Sequence, residues 1–264
     1  VSQQVADYRM RKLLESKTIT KMAPIINLKA LRQEHYRIFF KFNSVKEYAN
    51  SDVLNWLDKQ RGIYWAARIG GQYDLLVVLF VFDFVAFDHF VDNFNKKFPG
   101  LIKDYTSLYA IDHFIYRHKY MSKNYDAIWY GCNDEPQDID ELGMKILREF
   151  KENCRLPSLE IAKHVNVSYK TVINRIKDME KRNVILGYRI FIHSSEKLPF
   201  IVLFSFKNYS KETEKKLIAY LERVESVTQT VRLFGAWNLF IHVREEGNEK
   251  LQQHFNTFVF KAEE

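Results

Sequence analysis

Cysteine, proline and glycine are all scarce in this chain of 264 residues, which holds 2, 5 and 9 of them. Two cysteines, Cys132 and Cys154, cannot build a disulfide framework, and their scarcity points to a reducing, cytoplasmic compartment. So little proline and glycine excludes collagen-like, low-complexity and Gly-rich linker architectures. No apolar run approaches the roughly 18 residues that cross a bilayer. The longest, residues 75–82, stops at Asp83 and reads as a buried strand. Val1 and the polar residues after it do not read as a secretory leader. What the chain has in quantity is material for packed cores. Hydrophobic residues make up 47 % and aromatics 15 %, with 21 Phe and 15 Tyr, enough for more than one domain.

The net charge of +7 is unevenly placed. Residues 1–35 carry 7 basic and 3 acidic side chains, and residues 138–192 carry 11 and 8. Residues 36–120 (11 and 9), 121–137 (1 and 3) and 193–264 (10 and 10) cancel. Excess charge in two matching segments is what two contacts with a polyanion would need. An unevenly charged surface would give the same arithmetic.

The chain also repeats itself. At an offset of 166, Val1-Ser2 lies over Val167-Ser168, Arg9 over Arg175, Leu13 over Met179 and Ile19 over Ile185. At 164, residues 36–42 lie over 200–206, and Arg68-Ile69-Gly70-Gly71-Gln72-Tyr73-Asp74-Leu75 over Arg232-Leu233-Phe234-Gly235-Ala236-Trp237-Asn238-Leu239. Phe87, Val91 and Phe94 fall on Leu251, Phe255 and Phe258. One offset held through a helix, a strand, a glycine turn and a second helix marks a tandem duplication. The first copy opens late and the second stops early, which reads as a piece of an A–B–A–B protein.

Unit A is fullest over 138–192. Asp138 or Asp140 caps a helix whose apolar face is Leu142, Ile146, Leu147 and Phe150. Ser158 caps a short second helix, and Ser168 a third on which Val172, Ile176 and Met179 face inward. Tyr169, Lys170, Thr171, Asn174, Arg175 and Lys177 are left for the outside. A short helix, a tight turn and a polar-faced helix suit a DNA major groove, with side chains near the N-terminus on base edges and flanking cations on phosphates. An ordinary three-helix bundle with a solvated basic face has the same pattern.

Unit B, 36–120, reads as strand (36–42), helix (51–60), strands (63–69 and 73–81) across Gly70-Gly71-Gln72, helix from Asp83, and strand (104–117). That order gives a split βαβ, ferredoxin-like sandwich. The Phe84, Phe87, Val91, Phe94, Phe98 stripe is core. The expected fold class is therefore α+β: tandem winged helix-turn-helix and ferredoxin-like βαββαβ domains. Residues 1–35 form a partial helix-turn-helix, 36–120 the first sandwich, and 121–137 a polar linker whose Trp129-Tyr130 pair packs on a neighbouring domain. Residues 138–192 form the full helix-turn-helix, and 193–264 a second sandwich lacking its last strand, with the edge beside 200–206 open.

The stretches Ile139-Asp140-Glu141-Leu142-Gly143-Met144-Lys145-Ile146-Leu147, Leu159-Glu160-Ile161-Ala162, Val167-Ser168, Val172 through Glu180 and Val184-Ile185-Leu186-Gly187-Tyr188 resemble the leucine-responsive/AsnC family of feast–famine transcription regulators. The resemblance implies a double-stranded DNA partner, with contacts from Ser168, Tyr169, Lys170, Thr171, Asn174 and Arg175, and no enzymatic activity. The first copy supplies Ser2, Gln3, Gln4, Tyr8 and Arg9 at the matching places, a Gln-rich face that predicts unlike half-sites if both copies bind.

Unit B then resembles the family's RAM domain, which dimerises and binds small effectors, often amino acids. The two B units are expected to pair as an intrachain pseudo-dimer, or between chains as a homodimer. Gly71, Tyr73 and Asp74, with Gly235, Trp237 and Asn238, resemble its effector-cleft turn. An acid there receives an effector's amino group, whereas Asn238 offers only a neutral dipole. A glycine that serves only the hairpin explains the same residues.

No cofactor or membrane partner is expected. The 8 His are scattered, and no P-loop, GxGxxG or GxSxG occurs. His113 and His118 share a strand at an odd spacing, which places them on opposite faces. One enzyme alternative comes with the resemblance. Sirohaem decarboxylases are similar to AsnC-type proteins and are expected to show a His-Asn-Tyr and Arg cluster near the second strand of unit B. Arg68 and Arg232 are there; the His-Asn-Tyr is not. A protein-interaction module that has given up DNA is the third alternative, and the charge partition speaks against it.

Overall fold

The structure is a computed structural model that describes residues 2–44, 46, 48, 52–116, 127–192, 197–207 and 210–252. Helix α1 (Gln3–Glu15) leads into strand β1 (Ile19–Ile26) and then β2 (Glu34–Phe42). Next come α2 (Val53–Asp58), β3 (Ile63–Arg68), β4 (Leu75–Val81), α3 (Phe84–Lys97), β5 (Ile102–Tyr116) and β6 (Ala127–Gly131). The second helix-turn-helix is α4 (Glu141–Glu152), α5 (Ser158–Val165) and α6 (Tyr169–Lys181), followed by β7 (Ile185–Ile192). The chain continues through β8 (Leu198–Phe204), α7 (Lys211–Arg223), β9 (Val227–Phe234) and β10 (Leu239–Glu245). The expected repeat appears in the bounds themselves: α1 recurs as α6 and β1 as β7 at the longer offset, and β4 recurs as β10 at the shorter. Among the described residues no helix is long and apolar enough to cross a membrane. His118, Phe255 and Phe258 lie outside the described residues.

The two B units share one sheet. Its strand order is β3-β4-β2-β5-β9-β10-β8, with β6 on β5. Strand β5 is long enough to pair with β2 through its first half and with β9 through its second, and that second pairing joins the halves. The polar linker expected over 121–137 is corrected here. Residues 127–131 form β6, whose backbone completes the outer half of β5 from Asp112 to Tyr116. Tyr130 is buried in that strand while Trp129 stays exposed, so the pair splits across the pleat.

Period-two alternation places two kinds of core on the two faces of this sheet. In β4 every residue is buried because both faces are covered. Leu75, Val77, Leu79 and Val81 join Ile38, Phe40 and Phe42 of β2 under α2 and α3. Leu76 points the other way, into a core shared by both halves with Phe39, Leu108, Ala110, Val231, Leu233 and Phe240. Strand β10 repeats the scheme, with Leu239, Ile241 and Val243 under α7 and Phe240 in the shared core. The shared sheet therefore carries helices on one face and closes over the shared core with the other. Among the described residues β8 ends the strand path.

A register shift on β5 decides what faces the shared layer. The β5–β9 ladder skips from Ala110 to Asp112. Before the bulge Leu108 and Ala110 point inward; after it His113 and Ile115 do, and Asp112 turns away to Arg232. Gly131 fits this turn, since a Cβ there would lie 1.8 Å from Asp112 Oδ1. The A units are joined too: β1 and β7 pair antiparallel from Ile19↔Ile192 to Ile26↔Ile185.

Candidate functional site

Helix α6 has the outward face that the sequence predicts. Ser168 caps it, its Oγ accepting from Thr171 N at 3.1 Å. Val172 and Met179 are buried in the core of α4, α5 and α6, with Ile176 packed against it. That packing leaves Ser168, Tyr169, Lys170, Asn174 and Lys177 exposed, with Thr171 and Arg175 half-buried. Arg175 is already held: its Nη2 lies 2.6 Å from Asp140 Oδ2, while Asp140 Oδ1 caps Gly143 N at 2.9 Å. Cys154 packs against the same core as the small apolar filler expected of it.

Helix α1 carries the counterpart face without the counterpart support. Ser2, Gln3, Gln4, Tyr8 and Arg9 are all exposed, but none of the residues of α1 is buried. Leu13, at the place of buried Met179, is 40 % exposed. The helix is tethered by its continuation into β1 and by Asp7, whose carboxylate lies 3.0 Å from Arg155 Nη2.

The two glycine turns prove to be built alike. Gly71 and Gly235 both take positive φ (102° and 139°), which explains glycine at each. Asp74 Oδ2 accepts from Phe42 N at 2.9 Å, and Asn238 Oδ1 accepts from Phe206 N at 2.8 Å. Asp74 Oδ1 also meets Lys41 Nζ at 3.0 Å. The Asp74 carboxylate, expected to receive an effector's amino group, latches two strands here, a task that Asn does equally. Tyr73 is buried with its hydroxyl 2.9 Å from Thr106 Oγ1, and Trp237 packs on the shared core. The two arginines considered for an enzyme are also engaged. Arg68 stacks on Tyr48 at 4.9 Å, and Arg232 bonds Asp112 and Glu214.

A polar cluster lies on the inner face of the shared sheet. His35 and Arg37 of β2, His113 of β5 and Tyr130 of β6 are all buried. His35 Nδ1 and His113 Nε2 are 2.8 Å apart, and the His113 ring stacks on Tyr130 at 4.5 Å. The Arg37 guanidinium lies 3.9 Å from the centre of the Phe240 ring, a contact between the two halves. Burial, then the neighbouring His113, Arg37 and Lys29, hold His35 well below the usual histidine range. Burial, Arg37 and Lys29 do the same to His113. Burial brings Arg37 down to about 10, so it remains a cation at neutral pH. His242 of β10, 2.5 Å from Thr228 Oγ1, is lowered to about 4 by burial and by Arg244, Arg37 and Arg189. No group of three or more His, Cys, Asp or Glu able to hold a metal is found among the described residues.

A family model described as winged helix-turn-helix DNA-binding matches residues 139–185. A leucine-responsive regulatory protein of Rhizobium meliloti is 29 % identical over 34 % of the chain, and the match spans 57 % of that relative's length. Regulatory protein AsnC of Haemophilus influenzae is 31 % identical over 40 % of this chain and 71 % of its own. The chain belongs to the Lrp/AsnC family. Among solved structures, the siroheme decarboxylase NirDL in co-complex with an iron-uroporphyrin III analogue covers 98 % of this chain and 77 % of its own, with a TM-score of 0.69. At 15 % identity that likeness is one of fold.

In this Lrp/AsnC protein the sequence reading located α1, α6 and both turns, and missed His35, Arg37 and His113. The signal for two of them was available. His35, Arg37 and Phe39 alternate with the apolar Ile38 and Phe40, so a cation and an imidazole share the inward face of an otherwise apolar strand. His113 had no such signal, because its face is set by the bulge.

Proposed function

We propose that this chain is a sequence-specific DNA-binding transcription regulator, with α6 entering the major groove. One observation carries this. Within the segment that matches the winged helix-turn-helix model, Val172 and Met179 anchor α6 while Ser168, Tyr169, Lys170, Asn174 and Lys177 stand free of the core. Lys170 and Asn174 then read base edges, and Lys177 reaches phosphate. Arg175 leaves Asp140 for a phosphate when DNA arrives, exchanging one charge partner for another.

Pairing of β1 with β7 and of β5 with β9 makes the two halves one body, so a single chain stands where two protomers would. Gln3, Gln4, Tyr8 and Arg9 form the second reading face, and the half-sites lie about one helical turn apart, roughly 34–36 Å. Unlike faces predict unlike half-sites. The test is titration of labelled DNA from upstream of the protein's own gene against random DNA, with light scattering to count chains. Preference for the upstream DNA by single chains supports the reading. Equal affinity for both DNAs, or binding only by paired chains, contradicts it.

A second reading, an enzyme of the tetrapyrrole class, is favoured by the near-complete cover of the chain by the siroheme decarboxylase fold. The engagement of Arg68 and Arg232 weighs against the arginines first considered for it. A new visible absorption band on adding sirohaem, with no DNA binding, would put this reading first.

A further inference from the structure

We infer that the buried cluster around Arg37 is a binding site for a flat, apolar carboxylate that carries no ammonium group. The inference goes beyond the DNA-binding reading and stands independently of it.

Arg37 is a buried charge without a matching one. Arg37 is 4 % exposed and sits on a sheet strand with the Phe240 ring against its guanidinium. Its Nε has no hydrogen-bond partner, and no carboxylate among the described residues pairs with it. The nearby acids are otherwise engaged: Glu34 by Lys29 and Tyr109, Asp134 by Asn27 and the Gly131 N–H, and Asp112 by Arg232 through Oδ2, its Oδ1 remaining unpartnered on the side that faces Arg232 and not Arg37. A buried cation without an anion is a costly arrangement in a closed core. Guanidinium is also the side chain best shaped to grip a carboxylate through two parallel hydrogen bonds.

Two more unmatched atoms lie beside it. His35 Nε2 and His113 Nδ1 are both buried with no partner. The bond between the two rings uses one proton, and both imidazoles are held neutral. Whichever tautomer forms, one outer nitrogen carries a proton and the other is bare. The pair therefore offers a neutral donor next to the arginine.

Rings lead from the surface to this point. Tyr64 is 63 % exposed on β3, which ends the strand path of the sheet. It meets Phe80 edge-on at 5.2 Å, Phe80 meets His35 at 4.2 Å, His35 stacks on His113 at 4.5 Å, and His113 stacks on Tyr130 at 4.5 Å. Such a ladder favours a planar, apolar body with its acid end toward Arg37. Beyond Arg37 itself, the charges acting on the cluster are Arg189, Lys29 in its pair with Glu34, and Asp134, held by Asn27 and Gly131. An α-ammonium would meet the like charges of Arg37 and Arg189 with the bare imidazole nitrogen as its acceptor, so the 2-oxo counterpart of an amino acid fits better than the amino acid.

The test uses calorimetry on the whole chain with phenylpyruvate, phenylalanine and 2-phenylethanol as probes. Phenylpyruvate should bind at least tenfold more tightly than either of the others. Arg37→Met should lose that binding by tenfold or more and keep or raise the melting temperature, since it removes an unpaired buried charge. Equal binding of phenylalanine and phenylpyruvate, no binding of any probe, or full affinity in R37M would each overturn the proposal. Should R37M fail to fold, the side-chain 1H–15N signal of Arg37 in the wild type decides. A shift caused by phenylpyruvate alone supports the site, and an unmoved signal refutes it.

Discussion

Helices α1 and α6 have the same length and the same place in their repeats, yet one rests on a core and the other on none. Met179 is 2 % exposed and Leu13, its counterpart, 40 %. Both helices carry a serine cap, through Ser2 and Ser168. The comparison teaches that a cap and a polar face make a helix legible, while burial decides how firmly it is held. For α6 that support comes from Ile146, Leu147, Phe150 and Ile161 of α4 and α5. For α1 it reduces to the Asp7–Arg155 ion pair and the β1–β7 ladder.

Paired substitutions at repeat positions sharpen this contrast. Met179→Ala should destabilise the chain by about 2–5 kcal/mol in urea unfolding, whereas Leu13→Ala should stay within about 0.5 kcal/mol. Equal effects would show that α1 has core support after all.

The histidines give the next largest difference. His242 stands where the first half has Val78. Its folded pKa of about 4 lies below the unfolded value, so the unfolded chain binds the extra proton as the pH falls below about 6.5. Stability is then lost progressively from about pH 6.5 down to about 4, at up to about 1.4 kcal/mol per pH unit. His35 and His113 add in the same direction. His242→Val should flatten that acid slope; an unchanged slope would remove His242 from the account.

The two turns should differ least. Asp74→Asn keeps the acceptor for Phe42 N and loses only the partly exposed Lys41 pair, an effect of about 0.2–1 kcal/mol. Asn238→Ala removes the acceptor for Phe206 N and should cost about 1–3 kcal/mol. Thermal unfolding of both variants measures the difference, and a larger loss from Asp74→Asn would restore a special role for the acid.

Much of the architecture was legible because it is local. Ser168, Val172 and Met179 announce α6 by spacing, and Gly71 and Gly235 mark two hairpins whose equivalence survives an Asp-to-Asn difference. What was not legible depends on long-range pairing. Nothing near Ala127–Gly131 says that it completes β5, since its partner strand lies across residues 102–116. Nothing near Ala110 announces the bulge that turns His113 inward and Asp112 outward. The polar cluster forms only when β2, β5, β6 and β10 meet, so no single window of sequence contains it.

The most direct test of the central claim is the salt dependence of binding to DNA from upstream of the protein's own gene, for the wild type and for Lys170→Gln, which gives α6 the residue that α1 has at Gln4. The account predicts that log affinity falls steeply with log salt for the wild type, at about 0.9 per phosphate neutralised. It also predicts that Lys170→Gln loses preference for upstream over random DNA by tenfold or more, with the fold intact. A variant that binds and discriminates as well as the wild type would contradict it.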